Sequence, residues 1–209
     1  MAYLIILGIV VSSLMQMYRL NYLLNLLRDR DLTIKTLFKT LIGWPVGVLF
    51  AASSIVVVCI WKLPGYYVQL ADMIYTLLIV AIIDGKTHEI PNRIMITLLI
   101  SQLIVVICVS NTYPYIWNVL ISIVILLLLM LVSKISKEQI GMGDVKLIVI
   151  LNLIYGLSFT LYSMIISLFI MLLFIVPCMI RKKVNLKSQI PFAPFYTAGV
   201  IIYILLNSL

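Results

Sequence analysis

Two short stretches hold the residues whose types and spacing could do chemistry. One is IDGKTHEIPN at 83–92, which contains Asp84; the other is GMGDVKL at 141–147, which contains Asp144. Each places a carboxyl at the edge of a long apolar run. Only seven of the 209 residues are acidic. An ionisable group at the centre of a bilayer costs about 2.5–3.5 kcal/mol, so acids beside apolar spans mark a candidate functional site. Two carboxyls that share a site cannot both ionise easily, and the pair holds one proton. The ionised member can take a proton from water, and the protonated member can donate to a scissile carbonyl. That is aspartic-type hydrolysis, which needs no metal. Gly141 and Gly143 suit such a site, because glycine permits close approach of another chain segment.

Each aspartate alone has a plainer reading. Asp144 stands where a helix starts, and Asp is a favoured N-cap. Asp84 ends a helix, where the macrodipole disfavours an anion, although Lys86 can compensate it. Other chemistries fit less well. His88-Glu89-Ile90-Pro91-Asn92 begins like the zinc-protease HExxH, but its last position is Asn92, and the chain has no second histidine. Pro91 would also interrupt the helix that motif needs. No cysteine is placed beside His88 by the sequence, and neither a GxSxG nor a phosphate-binding loop is present. His88 reads as a solvated loop residue.

The elements that must position the two carboxyls are membrane helices. The chain is 64% hydrophobic and 11% charged, against about 45–50% and about 25% in a soluble domain. The expected class is therefore all-α, a polytopic membrane helical bundle. The net charge of +8 reads as the positive-inside bias of a membrane protein and not as nucleic-acid binding. Cys59, Cys108 and Cys178 each sit in an apolar run and form no CxxC pair, which leaves a disulfide framework or zinc ribbon unsupported. The first apolar stretch follows no basic residue and shows no small-x-small cleavage site, so it reads as a retained span.

Spans are expected at 2–18, 41–61, 67–83, 93–109, 115–133 and 192–206. The run from Leu147 to Ile180 holds 34 residues and as one helix would measure about 51 Å against a hydrocarbon core of about 30 Å. It is expected to break near 155–158 into two spans, giving about eight. The segment 19–39 carries five basic residues and two acids, with Leu20, Leu23, Leu24 and Leu27 on one helical face. It reads either as a helix lying on the membrane surface or as a plain connector. Trp44 and Trp61 read as interfacial anchors, and Gly43 with Gly47 as a weak packing motif. The basic loops (19–39, 84–93, 134–146 and 181–187) alternate with loops that hold only Lys62. With eight spans every basic loop falls on one side, which the positive-inside rule makes the cytosol. Both termini are then outside, and Asp84 and Asp144 share one depth at the cytosolic face. Asp72 falls toward the outer end of its span, and its loss is expected to be nearly neutral. Glu89 and Glu138 are expected to matter modestly.

At these residues the chain resembles the type IV prepilin peptidases, the GxGD class of membrane aspartic proteases. Asp84 stands six residues before Ile90-Pro91-Asn92, like the family's first catalytic aspartate and its IPN-type element. Gly141-Met142-Gly143-Asp144-Val145-Lys146-Leu147 is similar to the GxGDxKL element that carries the second. Ile190-Pro191-Phe192-Ala193-Pro194-Phe195 is similar to the proline-rich start of the family's last helix. The resemblance implies catalytic Asp84 and Asp144, with Gly141, Gly143, Lys146, Pro91 and Asn92 as supporting residues. It implies cleavage of the short basic leader of pilin-like precursors at the cytosolic face of a bacterial plasma membrane. The whole of 1–209 would be one integral membrane domain, with the protease core at 70–209 and two divergent spans in 1–69. Many bacterial members place a zinc-binding CxxC domain between the first two spans and methylate the new N-terminus using S-adenosylmethionine. Here that region is only 19–39 and holds no cysteine. Short members that only cleave are the closer comparison, so no cofactor and no metal are expected.

Two other classes of function compete with this one. A proton-coupled transporter could use Asp84 and Asp144 as relay carboxylates. It predicts acids deep in the spans and an internal repeat, whereas both acids lie at span edges and the halves show no repeat. A structural assembly protein would leave the shared depth of the two acids as coincidence. The expected partners are pilin-like precursors and the lipid bilayer, without nucleic acid; the residues give no oligomeric state.

Overall fold

The computed structural model describes residues 2–28, 66–109, 115–135, 141–180 and 190–208. The expected span at 41–61, with Trp44, Trp61, Gly43 and Gly47, lies outside them, as do Glu138 and the basic cluster at 181–187. The described residues are all-helical. They form α1 (Ala2–Arg28), α2 (Tyr66–Thr87), α3 (Asn92–Val109), α4 (Tyr115–Ile135), α5 (Met142–Tyr155), α6 (Leu157–Ile180) and α7 (Ala193–Ser208). Two of them, over Ile116–Ile135 and Leu157–Ile180, are long and apolar enough to cross a membrane. Their outward faces are apolar, with Leu127, Leu128, Leu131, Phe169, Leu172 and Leu173 all exposed, as surfaces that meet lipid are.

The chain divides into two compact units, Met1–Ile79 with Ile96–Tyr113, and Val80–Met95 with Pro114–Leu209. In the first, a buried polar cluster joins α1, α2 and α3. Arg19 and Asp72 are both fully buried and form an ion pair at 2.9 Å. All five guanidinium N–H donors find an acceptor. Nη1 donates to Asp72 Oδ1 and Thr76 Oγ1, Nη2 to the Thr97 carbonyl and Ser101 Oγ, and Nε to Thr97 Oγ1. The carboxylate is equally saturated. Oδ1 also accepts from Gln16 Nε2 at 3.1 Å, and Oδ2 accepts from Ser101 Oγ at 2.7 Å and Gln102 Nε2 at 3.0 Å. Desolvating two charges is costly, and such a pair persists only when every donor and lone pair is met.

This cluster corrects two expectations. The first span does not stop at Tyr18 before a separate surface segment; α1 continues without a break to Arg28. Arg19 is therefore not the first residue of a basic loop. A cation at the end of an apolar run reads as a boundary only when nothing inside the protein neutralises it, and Asp72 does so here. Asp72 in turn is the counter-charge of a three-helix junction, so its loss is not neutral as expected. Of the leucine stripe at 20–27, Leu20 and Leu23 are buried along this helix.

In the second unit the long apolar run breaks where its length requires. α5 ends at Tyr155, and Gly156 takes φ +84, a left-handed conformation that costs side-chain-bearing residues most. The Gly156 N–H closes α5 on the Asn152 carbonyl at 2.9 Å, and α6 starts at the next residue. α5 packs on α4, where Asn152 Nδ2 donates to Ser122 Oγ at 2.7 Å. α6 packs closely on α7. A Cβ on Gly199 would fall on Ser167 Oγ and within 2.7 Å of the Ser163 carbonyl. Phe159 meets Tyr203 edge-on, with ring centroids 5.2 Å apart, further along the same seam.

Candidate active site

Asp84, the α2–α3 turn, the first turn of α5 and the start of α7 all belong to the second unit. Asp84 lies one residue past the apolar span of α2, in its last turn, and is buried. The helix closes behind it. The His88 N–H donates to the Asp84 carbonyl at 2.9 Å, and His88 takes φ 54, the left-handed position that ends many helices. Thr87 Oγ1 donates to the Ile83 carbonyl at 2.9 Å and accepts from the Glu89 N–H at 3.3 Å. Pro91 cannot continue a helix from its N-terminal side, and its carbonyl accepts the first bond of α3 from Ile94 at 3.1 Å. His88 and Glu89 are exposed, as a solvated turn requires.

The two glycines of GMGD each leave room for a specific group. A Cβ on Gly143 would lie 2.7 Å from the Ile90 Cβ, so only glycine lets the turn after Asp84 press against α5. A Cβ on Gly141 would lie 3.0 Å from Asp144 Oδ2, so the carboxyl of Asp144 folds back over that position. Gly141 is also the helix N-cap and makes no side-chain cap; Asp144 is the third residue of α5. The N-cap reading of Asp144 is thereby replaced, since the position it would occupy is taken three residues earlier. Lys146 Nζ donates to Asn92 Oδ1 at 2.8 Å, a second tie between α5 and the start of α3. The supporting residues Gly141, Gly143, Lys146, Pro91 and Asn92 are thus brought together around one turn and one helix start.

Two carboxyls interact electrostatically in this arrangement. Burial first, and the charge of Asp84 second, push Asp144 up to about 6. Burial raises Asp84 too, but three neighbours oppose it: the Ala193 N–H, His88 and the Phe192 N–H. The Ala193 N–H donates to Asp84 Oδ2 at 2.9 Å. This contact is absent from any reading of side-chain motifs, because the donor is backbone. Its one sequence signal is a helix start without a Ser, Thr, Asp or Asn of its own: Phe192 accepts the first bond of α7, from Tyr196 at 3.0 Å, and offers no side-chain oxygen. Among the described residues no cluster of His, Cys, Asp and Glu has the makings of a metal site.

A carboxyl pair that holds one proton between two members can move protons to and from a carbonyl and a water. The family model of the type IV leader peptidase family matches residues 72–176, half of the chain, and the chain belongs to that family. The match contains both aspartates and ends before α7. No curated protein and no solved structure matches the chain. The family is one of membrane-associated peptidases, in keeping with the two apolar helices.

Proposed function

We propose that this chain is a membrane aspartic endopeptidase that removes the short basic leader of pilin-like precursors, with Asp84 and Asp144 as its catalytic residues. The observation that carries this reading is the electrostatic coupling of the two carboxyls: the charge of Asp84 raises the pKa of Asp144. Isolated surface acids do not do this. The surrounding contacts serve the same end, since Gly143 against Ile90 and Lys146 on Asn92 hold the two carrier segments together. An acidic site also suits a basic leader electrostatically.

The alternation of basic loops supports eight spans in one integral membrane domain over 1–209, with the protease core at 70–209 and the site at the cytosolic face of a bacterial plasma membrane. At 14 residues α5 is about 21 Å long and shorter than the hydrocarbon core, which leaves room for a site recessed at its start. The cysteine-free segment 19–39 supports cleavage without zinc and without methylation.

The test is co-expression with a pilin-like precursor, reading the leader by mass spectrometry at matched enzyme levels in membranes. Asp84→Asn and Asp144→Asn each abolish cleavage, and the double variant costs little more, because residues acting as a unit are non-additive. Cleavage persists in a strong chelator and without S-adenosylmethionine. Substantial cleavage by either single variant would remove the dyad and return the weight to a proton relay.

A further inference from the structure

The first turn of α7 sets one of the two carboxyls apart. A helix N-terminus presents unpaired N–H groups and the positive end of the macrodipole, both of which favour an anion. α7 has no acidic residue of its own in its first turn and no capping side chain at Phe192. Its cap comes from another helix: the Ala193 N–H donates to Asp84 Oδ2, and the Phe192 N–H adds to it. Among the described residues Asp144 receives no comparable donor from a third element. It stands near the start of its own helix with its carboxyl folded over Gly141.

We propose that Asp84 is the ionised member, which activates water, that Asp144 is the proton donor, and that the backbone amide of Ala193 is the positioning group that sets this division. The inference rests on the peptidase reading above. Among the described residues the charged and titratable groups facing Asp84 are His88 from the turn and Asp144 from α5; the first turn of α7 contributes only N–H donors. The N–H donors, with His88 beside them, favour the carboxylate at Asp84, and that charge then favours the acid at Asp144.

The steps balance. Asp84 takes a proton from water as its oxygen bonds to the scissile carbonyl carbon, and Asp144 gives its proton to the carbonyl oxygen, leaving a neutral gem-diol. On collapse the C–N bond breaks. Asp84 gives its new proton to the leaving nitrogen, and Asp144 recovers a proton from a gem-diol hydroxyl as the carbonyl re-forms. One water is consumed, and the pair returns to its starting state.

The experiment is a pH titration of the full chain in detergent, labelled with carboxyl-¹³C aspartate and followed by NMR. Resonances are assigned from the spectra of Asp84→Asn and Asp144→Asn. Asp84 ionises at the lower pH and Asp144 at the higher; the reverse order overturns the inference. Ala193→Pro is the complementary probe. It removes the N–H at the first position of α7, where proline is well tolerated. Losing one hydrogen bond to a charged group moves the Asp84 titration and the acidic limb of kcat/KM up by about one pH unit. Ala193→Gly keeps the N–H and the position of that limb. An unmoved limb in Ala193→Pro, or movement of the alkaline limb alone, also counts against it. If Ala193→Pro fails to accumulate, the order of ionisation in the unmutated chain decides. An unmutated enzyme that does not cleave would instead sink the peptidase reading, so the two failures are separable.

Discussion

Gly143 and Ile90 are in contact so close that a Cβ on the glycine would lie 2.7 Å from the Ile90 Cβ. The contact is between α5, which carries Asp144, and the turn that follows Asp84. Anything larger than hydrogen at 143 must push the turn from the helix. Overpacking of this kind costs about 1–3 kcal/mol, and a misplacement of about 1 Å at a reacting centre can cost about 100-fold in rate. Gly143→Ala therefore lowers precursor cleavage by at least about tenfold while enzyme accumulates in the membrane. The double variant Gly143→Ala/Ile90→Gly, which removes the opposing Cβ, recovers part of the loss. A Gly143→Ala enzyme that cleaves at the normal rate would show that the contact does not position the carboxyls.

The pH dependence follows from the carboxyls themselves. Asp144 is raised from 3.8 to about 6 in the folded chain, by burial first and by Asp84 second. The folded protein then holds a proton that the unfolded chain has released. The stabilisation from Asp144 is fully present below 3.8 and is lost as pH rises through about 6. Asp84 is raised as well, so its contribution has the same sign. Thermal midpoints in detergent, compared between the unmutated chain and Asp144→Asn, show the advantage of the native carboxyl shrinking with rising pH and then levelling. Cleavage shows an alkaline limb from the same proton, because the pair without it has no donor. An advantage that grows with pH would mean that Asp144 is held by a cation and not by burial.

Much of the site was legible because its signals are local. A 34-residue apolar run cannot be one span of ordinary length, and the break falls at the glycine within it. The glycines, proline and asparagine likewise stand close in sequence to one or other aspartate, which is what marked them as candidates. Ala193 was not legible as a contact, because backbone N–H groups are the same at every non-proline residue and only the turn of α7 aims this one. Arg19 was misread for a related reason. Spacing reports which face of a helix a residue occupies, but not that a carboxyl 53 positions away stands opposite it. The N-cap reading of Asp144 failed because Gly141, three residues earlier, already occupies that position.

The arrangement of spans gives a third test. Reporter fusions after Ser110 and after Gly156 read outside, and fusions after His88 and after Arg181 read cytosol, as the alternation of basic loops requires. Gly156 is the informative position. Its left-handed backbone already separates α5 from α6, and only an external reading makes that separation a turn between two crossings. A cytosolic reading would leave the helices divided without placing them in separate spans, and the topology of α7 would have to be redrawn.

The last prediction concerns Arg19 and Asp72, whose pairing reverses the expectation that Asp72 is dispensable. The guanidinium has no spare donor and the carboxylate no spare lone pair, so neither side chain can be removed without stranding the other. Breaking a buried pair from one side costs about 3–5 kcal/mol, whereas replacing both members by apolar groups of similar volume is often neutral or better. Asp72→Ala and Arg19→Met each lower the thermal midpoint and the amount of enzyme in membranes. Asp72→Asn does the same less severely, since it keeps an acceptor but adds a donor where Gln16 or Gln102 already donates. Arg19→Met/Asp72→Leu recovers much of the loss, although Gln16, Thr76, Ser101 and Gln102 each lose one polar contact and hold the recovery below complete. The cluster lies in a different compact unit from the two catalytic candidates, so the acidic and alkaline limbs of kcat/KM stay where they were in whatever enzyme remains folded. A full-strength, normally accumulating Asp72→Ala enzyme would show that the junction of α1, α2 and α3 does not depend on the pair.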